Sequence, residues 1–216
     1  VKTGQKCTAV RRVLVPKNTI DEVQEALISR LGKTAIGNPE NKEVSMGALA
    51  TKIQVERVKE NVELLMKSQE KVYGSLEKIP LIDAQFEKGC FFSPILFRNE
   101  NPFLKDDVHN VEAFGPVSTL IPYKDMEEAV SIVEMGKGSL VTSIVTNNDE
   151  IAKTFVTEAA HMNGRILVLN ERCARESTGH GSPMPLLTHG GPGRAGGGEE
   201  MGGIRGIKHY LQRTAI

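Results

Sequence analysis

Apolar positions along the chain recur with two different spacings, and the two spacings alternate. Residues 9–15 are rich in β-branched side chains and end at Pro16, which favours a buried strand. Asn18 or Thr19 can then cap a helix, and apolar residues recur at steps of three and four up to about Gly32. The apolar face of this predicted helix consists of Ile20, Val23, Leu27 and Leu31. A strand followed by a helix is the first unit of an α/β pattern.

The same alternation continues through most of the chain. Further helices are predicted over residues 52–68, 125–135 and 148–162, and strands over residues 91–97, 117–121, 140–146 and 166–169. The side chains predicted to face inward from these helices are Ile53, Val58, Val62, Leu65, Met126, Ala129, Val130, Val133, Ile151, Phe155 and Met162. Strands that alternate with amphipathic helices predict an α/β fold of three layers, with a mostly parallel sheet covered by helices on both faces.

The periodicity ends near residue 170. Residues 170–206 are dominated by glycine, proline, serine and charge, which predicts a loop, and residues 209–216 can form a terminal strand. In the loop, Gly191, Gly193 and Gly196 satisfy the dinucleotide fingerprint G-x-G-x-x-G. We reject this match because the fingerprint needs a hydrophobic strand directly before it and an acidic residue about 20 positions later. We expect these glycines to permit tight backbone turns.

Charge and cysteine content limit the classes of partner and compartment. The chain has 216 residues, of which 27 are Lys or Arg and 27 are Asp or Glu, so no charge excess predicts nucleic acid or a membrane surface as the partner. Three widely spaced cysteines favour a reducing compartment. No apolar run suits a membrane span or a signal peptide, so we expect a cytoplasmic protein. The opening Val1-Lys2 is what an excised fragment would show.

Two short segments contain residue types that could carry chemistry. Cys7 lies between small and polar neighbours just before a predicted strand, where a thiol is better placed to react than on an apolar face. Glu112 and Phe114 precede a Gly-Pro turn into another strand. A carboxylate there could accept hydrogen bonds from sugar hydroxyls while the aromatic ring packs against a flat ring. From the residues alone, a buried structural cysteine, a solvated glutamate and a core phenylalanine remain alternatives.

The histidines do not form a metal-binding pattern. Those at positions 109, 161, 180, 189 and 209 have no metal-ligand spacing with the cysteines, and no C-x-x-C occurs, so we predict no metal. His180 and His189 could line a pocket, or they could be solvated.

Taken together, the two segments resemble the signatures of a known enzyme family. Gly4–Ala9, followed by two arginines and a strand, resembles the active-site cysteine segment of the aldehyde dehydrogenase superfamily. Glu112–Val117 resembles the second signature of the same family, and it follows Cys7 by about 105 residues, as the family has it. The segments Ser177–Pro183 and His189–Glu200 are similar to the branch of the family that acts in phenylacetate degradation. The resemblance covers essentially the whole chain.

The resemblance implies a domain organisation. It assigns residues 1–208 to the catalytic domain of a three-domain subunit, with a short helix near residues 199–206, and residues 209–216 to an oligomerisation strand of a homo-oligomer. The cofactor-binding domain is expected to be absent from this chain. NADP or NAD would then be bound mainly by residues outside the chain.

The resemblance also implies roles for individual residues. Cys7 would attack the aldehyde carbon, and its own backbone N–H would hold part of the oxyanion. Glu112 would contact the nicotinamide ribose, and Phe114 would contact the nicotinamide end. The family's general-base glutamate and oxyanion-hole asparagine lie upstream of the cysteine. We therefore expect that the isolated chain cannot turn over.

The implied substrate is an aldehyde linked to coenzyme A. It is a ring-opened CoA semialdehyde of phenylacetate catabolism, 3-oxo-5,6-dehydrosuberyl-CoA semialdehyde, with NADP as acceptor. In that branch the enzyme is bifunctional, because a hydratase-like domain that hydrolyses the oxepin-CoA ring follows the dehydrogenase. Three alternatives remain: the semialdehyde dehydrogenase of aerobic benzoyl-CoA degradation, a cysteine hydrolase or thioesterase that pairs Cys7 with His180, and a non-catalytic interaction domain.

Overall fold

A computed structural model of the chain describes residues 2–177, 179–181 and 189–198. Two compact units divide the chain, residues 1–125 and residues 126–216. The predicted short helix near residues 199–206 and the predicted terminal strand over residues 209–216 lie outside the described residues. No helix in the described part of the chain has the length and apolar character needed to span a bilayer.

The first unit is built on a four-stranded sheet. Its strands are β1 (Arg12–Pro16), β2 (Glu70–Tyr73), β3 (Ile95–Arg98) and β4 (Val117–Tyr123), in the spatial order β1-β4-β3-β2. Strands β1, β4 and β3 run parallel, and β2 is antiparallel to β3. Its helices are α1 (Ile20–Gly32), α2 (Lys52–Leu65) and the single turn α3 (Asp107–Asn110), with short 3-10 turns at Lys2–Gly4, Lys17–Thr19 and Phe86–Lys88.

The two long helices of this unit contact opposite faces of the sheet. Along β3, the side chains of Ile95 and Phe97 are buried in one apolar cluster, and Leu96 is buried in the other. Helix α2 packs in the first cluster and α1 packs in the second. Since successive side chains of a strand point to opposite faces, β3 separates two cores. The prediction of a mostly parallel sheet with helices on both faces is confirmed within this unit.

The second unit repeats the strand-helix alternation. It contains α4 (Met126–Glu134), β5 (Thr142–Val145), α5 (Asp149–Ala159), a 3-10 turn at Ala160–Met162 and β6 (Ile166–Leu169), and β5 and β6 pair in parallel. A hairpin of β7 (His189–Gly190) and β8 (Gly197–Gly198) follows, with a 3-10 turn at Gly193–Ala195. The glycine-rich segment therefore forms a hairpin here, where the sequence predicts a loop. It is not the strand-to-helix turn of a dinucleotide fingerprint.

Two predicted core positions are wrong. Ile53 is 62% exposed, because it lies five residues before Val58 and so falls about 140° away from the buried Val58 stripe on α2. Ile151 is 41% exposed; it lies in the first turn of α5, whereas Phe155, one turn later, is buried. Strand β2 was not predicted, since its Glu-Lys-Val-Tyr sequence is too short and too charged to stand out.

Several strand ends also differ from the prediction. The predicted strand over residues 91–97 forms only from Ile95, because Pro94 has no N–H to donate to a ladder; Phe91 and Phe92 are buried without being in a strand. The strand predicted over residues 9–15 begins at Arg12. The segment that carries Cys7 is therefore longer and less regular than the apolar pattern indicated.

Candidate active site

Cys7 lies in a tight loop that leads into β1. The residues before it form a turn in which Thr3 and Gly4 have positive φ angles of 52° and 74°. A backbone hydrogen bond from Ala9 N to Lys6 O, 2.9 Å long, closes the next turn around Cys7. The side chain of Cys7 is exposed, and that of Thr8 is buried. The three cysteines of the chain, all in its described part, form no disulfide.

Glu112 and Phe114 lie in residues 109–116, which comprise the end of α3 and the segment that leads into β4 and which we call the Glu112 loop. Both of these side chains are exposed, Phe114 to 42%, whereas the intervening Ala113 and the following Gly115 are buried. Phe114 has a φ of 52°. A bulky residue in this left-handed region costs of order 1–3 kcal/mol and persists only where surrounding contacts hold it. The loop thus holds the aromatic ring of Phe114 outward while the backbone of this residue is strained.

The Cys7 loop and the Glu112 loop are in direct main-chain contact. A Cβ atom added to Gly4 would lie 2.1 Å from the carbonyl oxygen of Gly115, so no side chain fits there. The strands that follow the two loops pair in parallel, with Arg12 opposite Thr119. The Ser118 hydroxyl also donates to Val10 O at 2.6 Å. The structure therefore brings together the two segments that carry Cys7, Glu112 and Phe114.

Helix α2 contacts the other side of the Glu112 loop. The Gln54 side-chain amide donates to Phe114 O at 2.9 Å, and the Asn61 amide donates to Glu112 O at 3.2 Å. Between them, Val58 packs so closely that a Cβ atom added to Gly115 would lie 2.8 Å from Val58 Cγ2. Sequence reasoning missed both amides. Gln54 and Asn61 lie seven residues apart on the same face of α2 as the buried Val58, and this spacing could have drawn attention to them in the sequence.

Two arginines link β1 to the same loop. The Arg11 guanidinium donates to Val111 O and His109 O at 3.3 and 3.4 Å. An Arg12 nitrogen lies 2.9 Å from His109 Nδ1, and His109 Nε2 lies 3.1 Å from Pro102 O. Because a carbonyl can only accept, Nε2 carries the proton and Nδ1 accepts from Arg12. Each arginine thereby connects the start of β1 to the loop's first residues.

His109 is a buried neutral histidine. Its ring is 1% exposed, and burial, followed by the charge of Arg12, lowers its pKa to about 4. The neutral form is the one that can accept from Arg12 while donating to Pro102. His109 therefore serves the packing of the loop, a role that the spacing of histidines in the sequence did not indicate.

The second unit holds its own polar cluster. His180 Nδ1 lies 2.7 Å from Ser143 Oγ, and Arg165 donates to His180 O at 3.2 Å. His189 is buried, with its Nδ1 3.5 Å from Arg165. In the ranges that the structure covers, no group of three or more His, Cys, Asp or Glu side chains could hold a metal ion.

Comparison with curated proteins places the chain in a family. All 216 residues match the aldehyde dehydrogenase family. Protein MaoC of Klebsiella aerogenes is 46% identical over 172 residues, which cover 79% of this chain and 50% of that protein. The 3,4-dehydroadipyl-CoA semialdehyde dehydrogenase of Aromatoleum evansii is 36% identical over 192 residues, 89% of this chain and 37% of that protein. The chain thus spans half, or less than half, of these relatives.

Solved structures have the same fold. The betaine aldehyde dehydrogenase of Staphylococcus aureus, in complex with NAD+, superposes with a TM-score of 0.81 at 21% identity, over 97% of this chain and 39% of that one. Aldehyde dehydrogenase C of Pseudomonas syringae, in complex with NAD+ and octanal, gives a TM-score of 0.79 at 24% identity, over 96% and 39%. Since the family match covers the whole chain and the fold agrees, the chain belongs to the aldehyde dehydrogenase family.

Proposed function

We propose that this chain is the catalytic part of an NAD(P)-dependent aldehyde dehydrogenase in which Cys7 is the nucleophile. The observation that supports this most strongly is the main-chain contact between Gly4 and Gly115. It joins the loop of an exposed cysteine to the loop of an exposed carboxylate and an exposed aromatic ring. The substrate carbon that is bound to the nucleophile must lie close to the bound cofactor if a hydride is to pass from one to the other.

The chemistry proposed for Cys7 is covalent catalysis. The thiolate attacks the aldehyde carbon, a C–S bond forms, and the carbonyl electron pair moves to oxygen to give a thiohemiacetal. The backbone N–H of Cys7 is proposed as one donor to this oxygen. Loss of a hydride, which carries two electrons, converts the thiohemiacetal into a thioester. Water then cleaves the C–S bond, so that the carboxylic acid leaves and the Cys7 thiol is restored.

Glu112 and Phe114 are proposed as contacts of the cofactor. An exposed carboxylate can accept from two ribose hydroxyls, and an exposed ring held at a fixed angle offers a flat apolar surface. The residues present therefore fit the nicotinamide half of a dinucleotide. When bound, the cofactor supplies the acceptor for the hydride that leaves the thiohemiacetal carbon. NADP is the acceptor we propose, with the adenine half bound outside this chain.

The substrate we propose is a CoA-linked semialdehyde of phenylacetate catabolism. The Aromatoleum evansii relative is named as a CoA semialdehyde dehydrogenase, and its match covers 89% of this chain. The resemblance of Ser177–Pro183 to the phenylacetate branch favours 3-oxo-5,6-dehydrosuberyl-CoA semialdehyde over the benzoyl-CoA alternative. Assay of the complete reading frame that contains this chain, with each CoA semialdehyde, separates the two by their kcat/KM values.

The nucleophile assignment is tested by Cys7→Ala in that complete protein. We expect NADPH formation to fall at least about 10³-fold, because the covalent route is lost. Cys90→Ala and Cys173→Ala, at half-buried cysteines, serve as matched controls and should retain activity. Dehydrogenase activity that survives in Cys7→Ala would refute the assignment. Hydrolysis of an acyl-CoA thioester that needs no cofactor and is lost in Cys7→Ala would instead support the hydrolase alternative.

The domain assignment is proposed in the same way. Residues 1–208 form the catalytic domain, and residues 209–216, outside the described residues, add a strand to the sheet of a homo-oligomer in the cytoplasm. Removing residues 209–216 from the complete protein should shift its mass, measured by light scattering, toward that of a monomer. The length of the complete reading frame tests the proposed second, hydratase-like domain.

A further inference from the structure

We infer that Gln54 and Asn61 of helix α2, together with Arg11 of the Cys7 segment, are positioning residues for cofactor binding. They hold the main chain of the Glu112 loop so that Glu112 and Phe114 face the nicotinamide. This inference rests on the proposed function, because it takes Glu112 and Phe114 as cofactor contacts.

Side chains from two different parts of the fold donate hydrogen bonds to the carbonyl oxygens of the Glu112 loop. Arg11 donates to His109 O and Val111 O, Asn61 donates to Glu112 O, and Gln54 donates to Phe114 O. The donors come from a residue just before β1 and from α2, which flank the loop. A loop held by its backbone oxygens keeps its exposed side chains available for another molecule.

The conformation of the loop needs such support. Phe114 has a φ of 52°, so its backbone is strained, and at 42% exposure the residue is only partly packed. Gln54 binds the carbonyl of this same residue. We conclude that the Gln54 amide opposes the relaxation of Phe114 to an ordinary backbone conformation, which would turn the ring away.

One face of α2 contacts the Glu112 loop at three points. Gln54, Val58 and Asn61 are separated by four and then three residues, so they lie on one face of the helix. In that order they contact Phe114 O, Gly115 and Glu112 O. A single rigid helix therefore sets the positions of both proposed cofactor contacts.

The test uses the double variant Gln54→Leu/Asn61→Leu in the complete protein. It removes both donors while keeping helix-compatible side chains of similar size. If each of the two neutral hydrogen bonds counts for a factor of about 5, the KM for NADP should rise roughly 25-fold. The rate of Cys7 alkylation by iodoacetamide without cofactor should stay within about 2-fold of that of the original protein.

The control is Glu60→Leu, a polar-to-leucine change at an exposed position of the same helix, which should leave the KM unchanged. If the leucine variant does not fold, Gln54→Glu/Asn61→Asp keeps the side-chain shapes and still removes the donors. A purely structural role would lower Tm and slow every step without a selective rise in the KM for NADP.

Glu112→Ala separates failure of this inference from failure of the proposed function. A raised KM in Glu112→Ala together with an unchanged KM in the α2 double variants would overturn the positioning role alone. An unchanged KM in Glu112→Ala would overturn the cofactor role of Glu112, and the positioning role with it. A rise in both variants, with Cys7 alkylation unchanged, supports both.

Discussion

At the scale of single residues, Gly4 is the position in the site with the strictest requirement for glycine. Its φ of 74° is one that L side chains rarely adopt, and a Cβ atom would lie 2.1 Å from Gly115 O and 2.8 Å from Pro116 N. Any side chain at position 4 would therefore cause both backbone strain and steric overlap. Because the atoms it meets are main-chain atoms, they cannot move aside as the end of a flexible side chain could.

Gly4→Ala should be strongly destabilising. We expect a loss of about 2–4 kcal/mol in the free energy of unfolding by urea, from the left-handed conformation and the overlap together. Gly179→Ala is the matched control, because Gly179 has a φ of 84° and, apart from its chain neighbours, no atom of the described residues lies within 4 Å of its added Cβ. It should lose only about 1 kcal/mol. Equal losses in the two variants would show that the contact with Gly115 contributes nothing.

His109 should make stability depend on pH. Its pKa is about 4 when folded, below the ordinary value of 6.5, so the folded state binds fewer protons than the unfolded state between these values. Stability is therefore complete above about pH 6.5 and falls as the pH drops toward 4, by up to about 1.4 kcal/mol per pH unit. Urea unfolding at pH 7.5, 5.5 and 4.5 measures this slope.

His109→Gln should flatten that slope, whatever its effect on stability at pH 7.5. His161→Gln, at an exposed histidine of the second unit, is the control and should leave the slope in place. An identical slope in His109→Gln would mean that another group is responsible for the acid sensitivity.

At the scale of elements, the first turn of α2 is tied to the site through its cap. The Thr51 hydroxyl accepts from Gln54 N at 3.1 Å, and the side chain of the same Gln54 binds Phe114 O. Loss of an N-cap costs about 1 kcal/mol and loosens the first turn. A cap on α2 therefore affects the position of Phe114 as well as the stability of the helix.

Thr51→Ala should raise the KM for NADP a few-fold while lowering stability by about 1 kcal/mol. Asn148→Ala removes the corresponding cap of α5, where Asn148 Oδ1 accepts from Glu150 N and Ile151 N. It should have a similar stability cost without a change in KM. Comparable KM values for the two variants would contradict the link between the α2 cap and the proposed cofactor contacts.

The helices and strands also show how much of the fold could be predicted from the sequence. The apolar pattern predicted α1 and β6 close to their observed bounds, because α1 has apolar residues at helical spacing and β6 is a short continuous apolar run. The same rule placed Ile53 in the core, although its angle around α2 differs from that of Val58. The spacing of Gln54 and Asn61 indicates that they face the protein, but their hydrogen-bond partners could not be predicted, since a polar residue on a buried stripe does not indicate which backbone oxygen it meets.

At the scale of the whole molecule, the family match and the fold extend over essentially the entire chain, yet the chain spans half or less of its relatives. The resemblance places the hydrolytic base and an oxyanion donor upstream of Cys7. We therefore predict that the isolated chain, given NADP and a simple aldehyde, shows no sustained absorbance increase at the wavelength of NADPH.

Cooperative unfolding of the isolated chain in urea checks that it is folded, and alkylation of Cys7 by iodoacetamide, followed by mass spectrometry, checks that its thiol can react. The complete protein is the positive control under the same conditions. Sustained reduction of NADP by the isolated chain would show that these residues suffice for turnover.

The contact between Gly4 and Gly115 has a consequence for how the enzyme could change over evolution. The separation between the Cys7 loop and the Glu112 loop is set by two backbones in van der Waals contact, because a Cβ atom added to Gly4 would overlap Gly115 O. If the proposed function holds, mutations of side chains outside this contact can therefore alter which aldehyde is accepted without altering that separation. Substrate preference can diversify among descendants of one ancestor, while the reaction step itself is inherited unchanged.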